Sequence, residues 1–366
     1  MQRFSSFRDF DWTLLTLISL LSLISVLEIK SATAMTKFHG FDHKQVGFLA
    51  VGLLLMFLIS LIDYHRLIEL APWAYGISLL SLVAVKLVGT KVLGARRWIK
   101  LPGGIHFQPS EWVKLVLILM VARFFWTRVG RDLTWLDIGR AFGLVGIPML
   151  LVLTQPDLGT SLTYVPILLA GLFLGGLSLR QASLLMLGFA LLGAAVIGSG
   201  KRLKPYQQAR INAFLDPDSD PKGSGYQIRQ SLIAVGSGGI WGKGANRGTQ
   251  TQGDFLPIPY TDFIFAALSE EHGFIGAVAV LLLYFLILMR LIQNAQTAVD
   301  IPGTFIILGV VAVLLFQIAV NVGMVVGLMP VTGIPLPLLS YGGSSVLFTF
   351  MALGIVMNIR MRRFVN

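Results

Sequence analysis

Apolar runs long enough to cross a bilayer recur along almost the whole chain, near 12–29, 46–62, 72–90, 111–126, 140–154, 158–178, 182–199, 262–290, 303–328 and 344–360. About 17 to 25 apolar residues span some 30 Å of hydrocarbon as a helix, because only a helix satisfies its own backbone there. Composition agrees: 55% of the residues are hydrophobic, only 13% are charged, and the mean hydropathy is +0.77. The two-residue alternation of membrane-barrel strands is absent. The expectation is an all-α integral membrane protein, a single polytopic membrane domain over 1–366 with ten transmembrane helices and a large extracytoplasmic loop, 200–260, between helices 7 and 8. The first run has no small-residue cleavage site behind it and reads as a retained helix.

Sidedness follows from the basic residues. Ten spans put both termini on one side, and the tails MQRFSSFRDF and IRMRRFVN are short and basic, so they are expected in the cytoplasm. A raw count of lysine and arginine favours the other face, but only through the 200–260 segment, which is about as long as loops can be while still obeying the positive-inside tendency. The net charge of +11 therefore reads either as loops against lipid headgroups or as an anionic partner on the outer face. Nucleic acid is not an expected partner. Zero cysteines exclude disulfides and thiol chemistry, and the five histidines lack the spacing of a zinc site.

Four places carry polar chemistry. In RRWIKLPGGIHFQPSEWVKL, Pro109 and Ser110 open a helix that sets Glu111 and Lys114 one turn apart on one face. Such a pair either orders the bundle or marks a functional pocket. In LTQPDLGTS, Asp157 sits at a Pro/Gly break, where a helix cap is the bland alternative. The long loop holds Asp216, Asp218 and Asp220 as turn formers, not a calcium loop, and an amphipathic stretch around YQIRQSLIAVG suited to the membrane surface. In MPVTGIPLPLLSYGGSS the prolines and glycines forbid continuous helix, so this backbone must be buried in protein or line a cavity, with the hydroxyls of Ser340, Ser344 and Ser345 available to a polar ligand.

The segments FQPSEWVKL, QPDLGTS, LDPDSDPKGSGYQIRQSLIAVGSGGIWGKG, FLPIPYTDFIFAALSEEHGFIGA and PLPLLSYGGSS resemble, in order, the signatures of the SEDS family of shape, elongation, division and sporulation proteins. The resemblance runs from about residue 91 to the C-terminus, and the short tails favour the elongation branch. It implies a ten-helix peptidoglycan glycosyltransferase that polymerises lipid II, the undecaprenyl-diphosphate-linked disaccharide-pentapeptide, on the outer face of the cytoplasmic membrane. It also implies a class B penicillin-binding protein, a transpeptidase, as partner, together with other membrane proteins of the elongation complex.

By the same resemblance the essential acid is Asp262, a base for the acceptor hydroxyl. The diphosphate leaving group needs fixed cations, for which Arg96, Arg97, Lys114 and Arg210 are the candidates, or a divalent cation, Mg2+ or Mn2+. Glu111, Asp157 and Asp262 form no metal motif by spacing but would converge at the outer end of the bundle. Glu270 and Glu271 are expected to order the bundle through hydrogen bonds. Two other functions stay open from sequence: a lipid II flippase or transporter, which needs a similar polar cavity, and a scaffold that activates a transpeptidase without chemistry of its own.

Overall fold

The computed structural model describes residues 9–34, 38, 40–92, 95–100, 106–198 and 205–364. The basic tail 1–8 and the cations at the start of the long loop, Lys201, Arg202 and Lys204, lie outside the described residues. The helices are α1 (Trp12–Thr33), α2 (Phe41–Leu61), α3 (Tyr64–Val88), α4 (Pro109–Trp126), α5 (Trp135–Leu153), α6 (Leu158–Leu162), α7 (Val165–Leu174), α8 (Leu179–Gly198), α9 (Pro205–Leu215), α10 (Ser224–Ser237), α11 (Thr249–Gln252), α12 (Ile264–Gln296), α13 (Ile301–Val325) and α14 (Gly343–Met361). Seven of them, α1, α2, α3, α5, α12, α13 and α14, are long and apolar enough to cross a membrane. Shorter apolar helix covers 158–174 and 179–191, and α4 carries Glu111, Lys114 and Arg123 within its 18 residues.

Burial sorts these helices into inner and outer ones. Nearly every residue of α14 from Val346 to Ile359 is buried, whereas α3 buries Ile68, Ala71, Leu82 and Val85 and exposes Trp73, Ile77, Leu80 and Leu87. A helix apolar all round belongs in the interior, and a large apolar side chain left open in such a chain faces lipid. In lipid the hydrophobic effect no longer drives helix association, so close backbone approach through small residues and interhelical hydrogen bonds take over. The α2/α14 crossing uses both. A Cβ on Gly354 would lie 2.7 Å from the Met56 carbonyl oxygen, and one on Gly52 would lie 2.4 Å from the Phe350 ring. Asn358 donates to the Ser60 carbonyl at 2.6 Å and accepts from the Tyr64 amide at 3.0 Å.

Two features depart from the expected plan. The chain is not wholly helical, because β1 (Thr90–Val92), β2 (Ala95–Lys100) and β3 (His106–Phe107) form a small antiparallel sheet ahead of α4, with Thr90 opposite Trp98 and Ile99 opposite Phe107. The expected run 262–290 is also broken, since Gly273 has φ 67° and ψ −164° inside α12. A side chain there would meet Gly242, its Cβ only 2.3 Å from that amide nitrogen. The backbone groups that the break frees are taken up by the loop beside it: Phe274 N donates to Gly239 O at 2.9 Å, Lys243 N to Glu270 O at 3.0 Å and Gly244 N to Glu271 O at 2.9 Å. Irregular backbone at this depth is tolerated because protein, not lipid, supplies its partners.

The long loop is itself mostly helical. Gly225, Ile228, Ser231 and Ala234 put one buried stripe of α10 against α12 and α13, and Ser231 Oγ donates to Val325 O at 2.8 Å. Asp216 and Asp220 are turn formers: Asp216 accepts from the Asp218 amide, Asp220 from the amides of Gly223 and Ser224. The segment 329–342 is irregular as its prolines require, and it is held by Tyr341 N to Tyr260 O at 2.9 Å, Tyr284 OH to Pro337 O at 2.6 Å and Ser25 Oγ to Leu339 O at 2.7 Å.

A carboxylate and guanidinium pocket at the loop end of the bundle

The sheet, the start of α4, the α5/α6 break, α9, the turn before α12 and the segment 329–342 all meet at the end of the bundle that carries the long loop. Asp157 caps α6, where one oxygen accepts from Thr160 N at 3.2 Å and from Arg97 Nη1 at 3.2 Å. Its other oxygen accepts from Gln108 Nε2 at 2.8 Å. The Gln108 backbone N–H donates to Ser344 Oγ at 3.0 Å. The cap and the charged contact are thus one arrangement, with Asp157 only 3% exposed.

Asp262 lies in the turn before α12. Asn321 Nδ2 holds its carbonyl at 2.9 Å and Ile334 O at 2.8 Å, which ties the turn to the irregular 329–342 backbone. Next to it, Ser340 Oγ donates to Thr261 O at 2.7 Å and accepts from Leu336 N at 2.8 Å. The Asp262 carboxylate faces Gly333, where φ is +72° and an added Cβ would stand 3.3 Å from Oδ2. Arg210 reaches the adjoining carbonyl, Nη1 to Thr332 O at 3.0 Å. The residue is partly buried, and desolvation raises its carboxyl pKa above the ordinary aspartate value, while Arg210 and then Arg97 pull it down and Asp157 pushes it up. Asp262, Asp157, Arg97 and Arg210 therefore share one electrostatic site. Burial, then Tyr341, then Asp262 push the Tyr260 phenol up to about 12.

Glu111 and Lys114 pair as their spacing predicts, Nζ to Oε2 at 2.7 Å, with Lys114 fully buried and its ammonium 4.1 Å from the centre of the Phe348 ring. They lie one helical turn beneath Gln108, behind the pocket. Arg96 alternates with Arg97 on β2 and is exposed. The pocket wall also contains buried polar atoms without a hydrogen-bond partner, among them Arg97 Nε, Ser110 Oγ and Thr332 Oγ1. Desolvating such groups unpaired is costly, so they are available to a polar ligand. Gln108 and Thr332 carry no sequence signal beyond standing in the quoted segments, and Asn321 stands outside them, since each acts through a partner distant in the chain.

Asp157 accepts from Arg97, Thr160 and Gln108, and Glu111 is neutralised by Lys114. Among the described residues, three metal-type ligands converge elsewhere, at Glu28, Glu271 and His272. The sequence-expected hydrogen-bonding role of Glu270 is visible, since it accepts from the amides of Gln250 and Thr251, from Thr251 Oγ1 and from Lys243 Nζ, all within 3.0 Å.

A multi-pass helical protein with an acid and guanidinium pocket at one end of the bundle is thereby defined. The family model described as "Cell cycle protein", which groups FtsW, RodA and SpoVE, matches residues 8–364, and the chain belongs to that family. It is 42% identical over 328 residues to "Peptidoglycan glycosyltransferase MrdB" of Escherichia coli, covering 88% of this chain and 86% of that one. It is 34% identical over 431 residues to "Peptidoglycan glycosyltransferase RodA" of Treponema pallidum, covering 97% and 98%. A solved structure described as "Structural coordination of polymerization and crosslinking by a peptidoglycan synthase complex" superposes with a TM-score of 0.82 at 36% identity, covering 97% of this chain and 98% of that one.

Proposed function

We propose that the chain is a peptidoglycan glycosyltransferase that polymerises lipid II during cell elongation, and that the Asp262 pocket is where it does so. The glycosyltransferase activity rests on the relatives' names and on family membership. The site rests on one observation above the others: a partly buried carboxylate, Asp262, that feels two guanidinium groups, Arg210 and Arg97, at once. The acceptor hydroxyl oxygen attacks the donor's anomeric carbon, its proton passes to Asp262, and the bond from that carbon to the diphosphate oxygen breaks with its electron pair leaving on the phosphate. Arg210 and Arg97 meet that developing charge. Arg96 on the rim would catch the diphosphate earlier, and Lys114 with Glu111, Asp157, Ser340 and Ser344 supports the pocket from behind. A divalent cation, Mg2+ or Mn2+, would add to that charge stabilisation if held beside Asp262.

On this reading the chain has ten spans in a single membrane domain, with both termini cytoplasmic and the 200–260 segment on the outer face, where lipid II is polymerised; seven long apolar helices and the shorter apolar stretches 158–174 and 179–191 support it. A class B penicillin-binding protein is the partner that would cross-link the strands. Purified full-length chain, alone and with such a transpeptidase, is to be incubated with lipid II and the products resolved by size. Wild type is expected to give glycan strands and folded Asp262→Asn almost none, with Asp262→Glu keeping a trace. Transport of lipid II without polymer would make the chain a flippase, and transpeptidase activation that survives Asp262→Asn without polymer would make it a scaffold.

A further inference from the structure

Away from the Asp262 pocket, a second cluster of ionisable groups sits where the loop end of α1 meets the break in α12. Glu28 and Glu271 are 1% and 0% exposed, and His272, beside Gly273, is half open to solvent. Each offers one ligand atom, and the three atoms lie within 4.8 Å of one another. We propose that Glu28, Glu271 and His272 bind a divalent first-row transition ion that fastens α1 to the α12 break.

Three observations carry this beyond a mere cluster of acids. First, Glu28 Oε1 is buried without any hydrogen-bond partner, although an orphaned carboxylate oxygen is among the costliest groups to bury. Second, His272 Nε2 stands 3.3 Å from Glu28 Oε2, longer than the roughly 2.7–2.9 Å of a good charge-assisted hydrogen bond. It is close to the ~3.4 Å expected between two ligands each about 2.1 Å from one tetrahedral ion. Third, Gln252 touches Glu271 Oε1 through Nε2 at 3.3 Å and leaves its own Oε1 buried and unpartnered, a second unsatisfied oxygen on a residue bonded to the cluster.

The donor set selects the ion. Two carboxylates and an imidazole suit Zn2+ or Mn2+, with water completing the coordination, whereas Mg2+ keeps its waters and Ca2+ wants six to eight oxygens. A divalent ion also cancels the two buried negative charges. Ser31 fixes Glu271 from behind, Oγ to the carboxylate at 2.5 and 2.6 Å, and receives Asn246 N at 2.9 Å. Gln252 Nε2 further reaches Ser31 O at 2.8 Å. Such supporting hydrogen bonds orient metal ligands. The half-open His272 gives the ion its way in.

Tag-free full-length chain in detergent, stripped with a chelator, is to be titrated with Mn2+ followed by its electron paramagnetic resonance signal, and with Zn2+ in competition. The expected result is about one saturable equivalent, weakened about tenfold or more by Glu28→Gln and by His272→Leu and retained by Asp262→Asn, which separates this site from the proposed catalytic pocket. The thermal midpoint should rise with metal in wild type and not in His272→Leu, whose half-open side chain makes it the variant that keeps its fold. Absence of a saturable equivalent, equal binding of Mg2+, or binding that survives both substitutions would overturn the proposal.

Discussion

The buried pair at Glu111 and Lys114 permits a worked test of whether it orders the bundle or serves the chemistry. Removing one partner of a buried pair costs about 3–5 kcal/mol, because a charge is left desolvated. Glu111→Gln strands the Lys114 ammonium, but the Phe348 ring 4.1 Å away returns up to about 2 kcal/mol, leaving a net loss of about 1–3 kcal/mol. Lys114→Met strands Glu111 in the first turn of α4, where the helix dipole returns only about 0.3–1 kcal/mol, so this variant should lose about 2–4 kcal/mol. The double variant removes both charges and should cost much less than the sum, giving a coupling energy of about 2–3 kcal/mol. Equilibrium unfolding in mixed micelles, read by tryptophan fluorescence, supplies the four stabilities. A coupling below about 1 kcal/mol, the range of an exposed pair, would refute the reasoning. Lipid II polymerisation by the double variant then separates the two readings: retained activity assigns the pair to the bundle, lost activity in a folded protein assigns it to the site.

Other outcomes follow from the same contacts. Arg210→Gln and Arg97→Gln each remove a cation that lowers the Asp262 pKa, so the ionised base should require higher pH, and the acid limb of the polymerisation rate should move upward. An unmoved limb in both would take Asp262 out of the base role. The same variants should lose about 1.5–3 kcal/mol of transition-state binding, the worth of a charge-assisted contact, measured as kcat/KM. Gly354→Ala sets a methyl against the Met56 backbone and should cost about 1–3 kcal/mol in unfolding experiments. Gly47→Ala, with open space around it, should stay within about 0.5 kcal/mol. Reporter fusions at residues 1–10 and 358–366 should report the cytoplasm and fusions within 200–260 the outer face, and termini on opposite sides would show that the spans are miscounted.

What could be read in advance depended on whether the determining contact was local. Most of the apolar runs are largely helix, seven of the helices long enough to span, since a segment of that length in lipid has few other ways to satisfy its backbone, and Glu111 with Lys114 could be paired because three residues is a helical turn. The contact of Arg97 with Asp157 joins a strand to a distant cap, and no spacing announces it. The sheet around Arg97 was hidden because GTKVLGARRWIK mixes strand-forming residues with glycine and charge. The break in α12 was hidden for a related reason: an isolated glycine inside an apolar run is ordinarily tolerated, and what forces Gly273 out of helix is its packing against residues 239–244. The family resemblance supplied Asp262. The residues that hold it, Asn321 through its carbonyl and Gly333 beneath its carboxylate, emerged only from the packing.

The break at Gly273 also sets how the protein meets bilayers of different thickness. Beyond it, residues 274–296 form a rod about 34 Å long at 1.5 Å per residue, close to a typical hydrocarbon core of about 30 Å. The helix before it, 264–271, is buried among protein side chains. The rod is itself packed through Val280, Tyr284, Ile287 and Leu291, so a change in membrane thickness is met by the lipid and the lipid-facing side chains around it. Asp262 rides with the upper piece, clamped to α13 and the 329–342 backbone, so its depth follows the protein and not the lipid. Thinner and thicker membranes should alter how far a lipid-linked donor must rise to reach the carboxylate, while leaving the carboxylate and its two guanidinium neighbours in register with one another.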